Sequence, residues 1–113
     1  MIYIASPYSD PDLQIMQARF IAARAYAARL TTLQITCYSP IVHFHPMAAY
    51  HNLPTGFDFW RPINEEMLSL AKSLHILCLT GWDKSVGVSA ELEWWKRHRI
   101  VGPVYYYPEG SRG

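Results

Sequence analysis

Cysteine is scarce in this sequence. Cys37 and Cys78 are the only two, each lies inside an apolar run, and neither has a second Cys or a His at a metal-finger spacing. A disulfide-stapled scaffold and a zinc module are thereby excluded, and two buried, reduced thiols are expected. Charge of one sign is lacking as well. The formal net charge is +1 and charged residues make up 17%, so no strong field draws in nucleic acid, an anionic membrane or an acidic partner. Glycine is thin, with six copies. After the first apolar stretch the chain reads Ser6-Pro7-Tyr8-Ser9, which excludes a Walker loop and a dinucleotide fingerprint there. A serine nucleophile between the flanking glycines of an elbow is also missing. Long hydrophobic runs are absent: Met1 to Ala5 is apolar but meets Ser6-Pro7 at once, too short for a signal h-region or a membrane span. A cytoplasmic location is expected, without a membrane or nucleic-acid partner.

What is present is apolar and aromatic. Half of the 113 residues are hydrophobic, which suits one compact domain over 1–113. Eight Tyr and four Trp are more large rings than a small monomer hides easily, so a homo-oligomer (dimer or tetramer) or an aromatic-lined pocket is expected. Trp94, Trp95 and Tyr105-Tyr106-Tyr107 are the interface candidates, although each could equally pack on a sheet.

Periodicity divides the chain into alternating strands and helices. Met1 to Ala5 reads as a strand. Asp10-Pro11 reads as an N-cap with proline at the first helical position. The helix then runs to about Leu30 on the stripe Leu13, Met16, Phe20, Ala23, Ala27, Leu30, with Arg19 and Arg24 off it. Gln34 to Tyr38 is a short strand. Ile41 to Gly56, rich in His, Pro and turn formers, reads as a loop with at most one helical turn, and a loop that long in a compact domain is a candidate binding wall. A helix over about Phe57 to Lys72, a buried strand Leu74 to Leu79, a helix Ser85 to about Arg97 and a strand Val101 to Tyr107 complete the order. This alternation predicts an α/β fold, a parallel sheet covered on both faces. Ligands in such sheets bind beyond the carboxyl ends of the strands, where the loops Ser6 to Asp10, Ser39 to Pro46 and Thr80 to Gly87 should meet.

The segment from Gly81 and Trp82 through Ser85 and Gly87 to Glu91 joins a strand to a helix. A helix N-terminus offers unpaired N–H groups to an anion, Ser85 a hydroxyl, and Gly87 close approach to the backbone. Ser85 has a plainer role open to it, that of the helix cap. Two acids share the helix. Glu93 has Lys96 and Arg97 three and four residues on and belongs to a solvated face. Glu91 has Gly87 and Val88 before it and Trp94 and Trp95 after it at those spacings, so it sits on an apolar face, where desolvation raises a carboxyl pKa. Such a carboxyl is either a nucleophile or acid catalyst, or a structural Glu bonded to a neighbouring loop. His43 and His45, with His51 beyond, would bind metal only if an extended backbone put both rings on one side. With no nearby Cys or carboxylate, pocket-lining or internally satisfied histidines are expected instead, without metal or other cofactor.

Three stretches taken in order, Met1 to Ser9, Ser39 to Pro46 and Gly81 to Glu91, resemble a bacterial domain family of unassigned function. That family is similar to the nucleoside 2-deoxyribosyltransferases and the 2′-deoxynucleoside 5′-monophosphate N-hydrolases. The likeness covers nearly the whole chain. It implies a three-layer flavodoxin-like (Rossmann-like) fold, a cleft for a small nucleotide-like substrate, and a glutamate that bonds covalently to the sugar. That glutamate matches Glu91, four residues after Gly87. Ser6, Pro7 and Tyr8 match the strand motif that lines the sugar and base pocket, with Tyr8 one candidate for moving a proton to the leaving base. Ser85 and Gly87 match the residues that hold a 5′-phosphate in the hydrolases, where the transferases carry an acid at the first position. His43, His45, Gly81 and Trp82 fall in the binding set by the same match. An aspartate that the transferases use catalytically falls at Asn64, with Glu65 and Glu66 beside it, and an often acidic position before the third strand is Lys72.

Overall fold

The computed structural model describes residues 1–98 and 102–108. Its four parallel strands are β1 (Ile2–Ala5), β2 (Cys37–Tyr38), β3 (Ser73–Cys78) and β4 (Val104–Pro108), in the order β2-β1-β3-β4. The helices are α1 (Leu13–Thr32), α2 (Pro40–His51), α3 (Phe57–Leu70) and α4 (Val86–His98), with a short 3-10 turn at Trp82–Lys84. The fold is the expected three-layer, flavodoxin-like α/β arrangement. Alternation along the strands sorts the layers. Tyr3, Ala5, Leu74 and Ile76 face α3 and α4 through Leu68, Val88 and Trp95. Ile4, Leu77 and Leu79 face α1 through Ala23, Tyr26 and Leu30. A third cluster, with Tyr8, Phe20, Phe44 and Trp60, closes the end of the sheet.

Several boundaries differ from the sequence expectations for identifiable reasons. The Asp10 carboxylate accepts the Asp12 N–H at 2.8 Å, so Asp12 caps α1 by accepting from Gln14 N and the helix begins at Leu13, which is 77% exposed. The expected strand from Gln34 shortens to Cys37–Tyr38, because Gln34 turns through a positive φ of 62°. The largest correction is Ile41 to Gly56, expected as a loop, of which residues up to His51 are helix α2. Ser39 caps it, accepting from Val42 N, and Pro40 occupies the first turn. Ile41, Phe44 and Ala48 then bury one stripe. Pro46 removes one internal N–H, but burial of that stripe outweighs the loss. The expected last-strand start at Val101 lies outside the described residues, and β4 is described from Val104.

Between β1 and β3 the chain order reverses: the crossover from β1 leads to β2 on one side, and the chain then steps over β1 to β3. This reversal leaves a crevice at the carboxyl ends of the two central strands.

Candidate functional site

A cavity of about 650 Å³ opens at that reversal. Ser6 and Tyr8 reach it from the end of β1, Ile41 and Phe44 from α2, and Gly81 and Lys84 from the loop after β3. The α2–α3 connection and α3 add Thr55 to Trp60 and Asn64, and the start of α4 adds Ser85, Val86, Gly87 and Glu91. The three segments expected to meet do so, the second of them as the start of helix α2 instead of a loop.

Glu91 owes its place to helical spacing. Val88, Glu91 and Trp95 form the buried stripe of α4, so the carboxyl is drawn in with its apolar neighbours and is 6% exposed. The Tyr3 hydroxyl donates to Glu91 Oε2. Burial pushes the Glu91 pKa up to about 8, while the hydrogen bond from Tyr3 acts in the opposite direction. The same burial, then the Glu91 charge, holds the Tyr3 phenol well above its usual value. Tyr38 is pushed up to about 12 by burial first and by Glu91 second. Glu91 is therefore mostly protonated at neutral pH, with ionisation within reach. Glu93, two residues on, faces solvent and pairs with Arg97 at 2.6 Å.

Ser85 caps α4, its Oγ accepting from Val88 N at 3.2 Å, while it also lines the cavity. Its hydroxyl hydrogen is not used by that bond. At Gly87 a Cβ would sit in ordinary van der Waals contact with Phe57 Cδ2 at 3.5 Å and Ser85 Oγ at 3.9 Å. Gly81 has a φ of +88°, which favours glycine, and a Cβ there would press on Arg19 Nη2 at 3.0 Å.

Tyr8 is wired to α1 and α2. Its hydroxyl lies 2.5 Å from His45 Nδ1, and His45 Nε2 lies 2.9 Å from Gln17 Oε1. Because the Gln17 oxygen only accepts, Nε2 carries the hydrogen and Nδ1 accepts from Tyr8. Burial lowers the His45 pKa and raises that of Tyr8, which favours the neutral form of each. Ser6 Oγ and Asn64 Oδ1 stand apart from these networks. Both atoms are buried at the cavity without a hydrogen-bond partner.

Four residues of the expected binding set do not line the cavity. Pro7 is fully buried behind it. His43 and His45 are two apart on a helix, about 200° around its axis, so they cannot face one site. His43 is exposed against the Tyr38 ring, and His45 lies behind Tyr8. Trp82 packs on the sheet cluster and against Tyr106. Among the described residues no group of three or more His, Cys, Asp or Glu comes together as metal ligands. His75, expected as a packing residue, is buried with Nδ1 2.8 Å from the Tyr26 hydroxyl, and His98 is exposed on α4.

The sequence pattern passed over Arg19, which the helical stripe put on the outer side of α1. Its guanidinium donates to the carbonyls of Tyr8, Ser9 and Thr80 at 3.1–3.3 Å and lines the cavity, without an ion pair among the described residues. Phe44 and Trp60, stacked with ring centroids 4.5 Å apart, supply a flat aromatic wall. The signal for that wall was the buried spacing of α2, hidden by the proline inside it.

A family model described as a domain of unknown function (DUF1937) matches residues 1–108. No curated protein matches the chain. No helix among the described residues is long and apolar enough to cross a membrane.

Proposed function

We propose that this chain, which belongs to the DUF1937 family, cleaves or transfers the N-glycosidic bond of a nucleoside 5′-monophosphate or a similar nucleotide-like substrate through a covalent glycosyl-glutamate at Glu91. The observation that carries this reading is a buried, hydrogen-bonded carboxyl lining a nucleotide-sized cavity that the start of a helix also lines. The resemblance of the three sequence stretches to the deoxyribosyltransferases and N-hydrolases points the same way.

In this mechanism the ionised Glu91 attacks C1′ of the sugar as the bond to the base breaks, and the bonding pair leaves with the base nitrogen. The oxocarbenium-like transition state is cationic, so it favours the ionised carboxylate that burial alone disfavours. Tyr3 assists by donating to the carboxylate. The departing base takes up a proton, a step this reading gives to Tyr8: its phenol turns from His45 to deliver that proton and regains one from the water that attacks next. Water then attacks C1′ of the glycosyl ester, loses a proton and restores Glu91, which gives a hydrolase. A second base at that step gives a transferase. The phosphate is accepted by Ser85, the free N–H groups opening α4 and the charge of Arg19, and a neutral Glu91 in the resting site does not repel it.

A second reading, a nucleotide-binding module without chemistry, is favoured by Asn64, where the transferases have an aspartate. A homo-oligomer is part of the first reading: Phe59 and Val86 at the cavity rim are 48% and 74% exposed, and a neighbouring subunit would cover them.

The test incubates the protein with deoxynucleosides and their 5′-monophosphates and follows free base by chromatography, with Glu91→Gln as the blank. Base release from monophosphates that Glu91→Gln abolishes is expected. Equal release by the variant would overturn the mechanism, and binding without release would favour the second reading.

A further inference from the structure

Among the described residues the buried polar or charged side chains are Ser6, Ser39, Asn64, His75 and Glu91, and of these His75 alone neither lines the cavity nor caps a helix. It stands on β3 in the row of Leu77 and Leu79 that faces α1, where the fold asks for an apolar side chain. Its Nδ1 lies 2.8 Å from the Tyr26 hydroxyl of α1, and its ring lies against Tyr105 and Tyr107 of β4, with centroids 5.3 and 4.9 Å away. Tyr26 and Tyr107 close the box at 5.5 Å. The titratable groups facing His75 are thus three phenols, and burial first, then Tyr107, holds that of Tyr26 above its usual range. On β1 the ladder neighbour of His75 is Ile4, β2 brings Cys37 near Tyr26, and Arg24 and Arg29 of α1 are exposed. Among the described residues no ion pair includes His75. Burial is the one identified cause that lowers its pKa. Aromatic faces attract a cation but do not replace its hydration, so a proton on His75 drives the box to open. The walls differ in strength. β4 is an edge strand that pairs with β3 alone, and none of its residues is buried, so it yields first. Between the two box tyrosines, Tyr106 carries its ring 5.7 Å from that of Trp82, the first residue of the turn Trp82–Lys84. Lys84 and Ser85, at the end of that turn, line the cavity.

We propose that the box of Tyr26, His75, Tyr105 and Tyr107 is a proton-operated latch: with His75 neutral it holds β4 on the sheet and Trp82 in place, and protonation of His75 frees β4 and loosens the Trp82–Lys84 turn at the cavity. The sign follows from linkage. Above its unfolded pKa of about 6.5 a histidine lowered by burial is neutral in both forms and costs nothing, whereas below it the open form takes up a proton that the closed form refuses, so closure weakens as pH falls. The latch acts through a group outside the cavity lining and does not rest on the nucleotide reading.

Amide hydrogen exchange followed by NMR from about pH 7.5 to about pH 5, corrected for intrinsic exchange rates, reads the latch without any ligand. In the wild type the protection of the β4 amides, and of the Lys84 and Ser85 amides that bond to the Gly81 and Trp82 carbonyls, is expected to fall together, by up to about tenfold for each pH unit below about 6.5. The His75 ring signals should titrate below about 6.5. His75→Gln takes up no proton and should hold that protection level across the range. Tyr105→Glu, at an exposed position, supplies the counter-ion that the box lacks and should likewise remove the loss, so the test stands if His75→Gln fails to fold. Wild-type β4 protection that ignores pH, variants that lose it as the wild type does, or a His75 ring that titrates at or above about 6.5 would each overturn the latch. Opening of β4 with Lys84 and Ser85 unchanged would overturn its link to the cavity.

Discussion

Tyr3 on the first strand donates its hydroxyl to Glu91 on the last helix, a pair separated by 88 residues that meets inside the sheet–helix layer. The bond is the one identified influence that pulls the Glu91 pKa down against burial. Tyr3→Phe removes it while keeping the ring. The acid limb of the pH–rate profile should then move upward, by about one unit, and base release at pH 7 should fall roughly tenfold. An unshifted limb would assign Tyr3 to packing alone.

The same carboxyl links stability to pH. Folding raises the Glu91 pKa from 4.5 to about 8, so between those values the folded protein holds a proton that the unfolded chain releases. Its contribution is full below about 4.5, is lost as pH rises through about 8, and is constant above. Between pH 5 and pH 8 the Tm of the wild type should therefore fall relative to Glu91→Gln, by roughly 10–20 °C. The comparison isolates Glu91, because His45 and His75, whose pKa values burial lowers, act oppositely at the acid end in both proteins. Parallel Tm curves would mean that Glu91 is not buried as an acid.

Much of this was legible in the residues, and the failures share a cause. Glu91 could be told from Glu93 because their neighbours at three and four residues differ in kind, and the packing kept that difference. His43 and His45 were expected at the pocket or internally satisfied, and on helix α2 only His45 is held by internal bonds, to Tyr8 and Gln17, because side chains two residues apart on a helix diverge. Helix α2 itself was hidden by Pro46 and three histidines, local signals that weigh less than the buried stripe of Ile41, Phe44 and Ala48. Arg19 lay beyond sequence pattern altogether. Its role depends on two loops, after β1 and after β3, arriving from distant parts of the chain.

Two residues off the site test the backbone. Gln34 and Asn52 both have positive φ, 62° and 55°. Asparagine tolerates this conformation and glutamine does not, so Gln34→Gly should stabilise the protein by about 1 kcal/mol, whereas Asn52→Gly should be near neutral. Chemical denaturation of the two variants beside the wild type measures both. Equal effects would show that the turn at Gln34 carries no strain.

Light scattering checks the assembly. Besides Phe59 and Val86, Tyr105 and Tyr106 on the edge strand β4 are 47% and 49% exposed, while Trp95, once an interface candidate, is 1% exposed and donates to the Gly102 carbonyl. A dimer or larger is expected at micromolar concentration. A monomer throughout the accessible range would leave the rim of the cavity to the ligand alone.

Arg19 offers the sharpest test of the phosphate, because it has two separable properties. As a fork of donors it ties the carbonyls of Tyr8 and Ser9 to that of Thr80, joining the loops after β1 and β3. As a cation lining the cavity it attracts an anion, and none of its recorded bonds neutralises that charge. Arg19→Lys keeps the charge and loses the fork, while Arg19→Met loses both. Both variants should melt at lower temperature, since both release the loops. They should differ in the ratio of affinities for a nucleoside 5′-monophosphate and for its bare nucleoside. Arg19→Lys is expected to hold that ratio near the wild-type value, and Arg19→Met to reduce it about tenfold at low salt, with the gap narrowing as ionic strength rises. Calorimetric titrations at two salt concentrations read this directly. If Arg19→Met lowered the melting temperature yet kept the ratio, the guanidinium would be a brace for the loops, and the phosphate would rest on Ser85 and the start of α4.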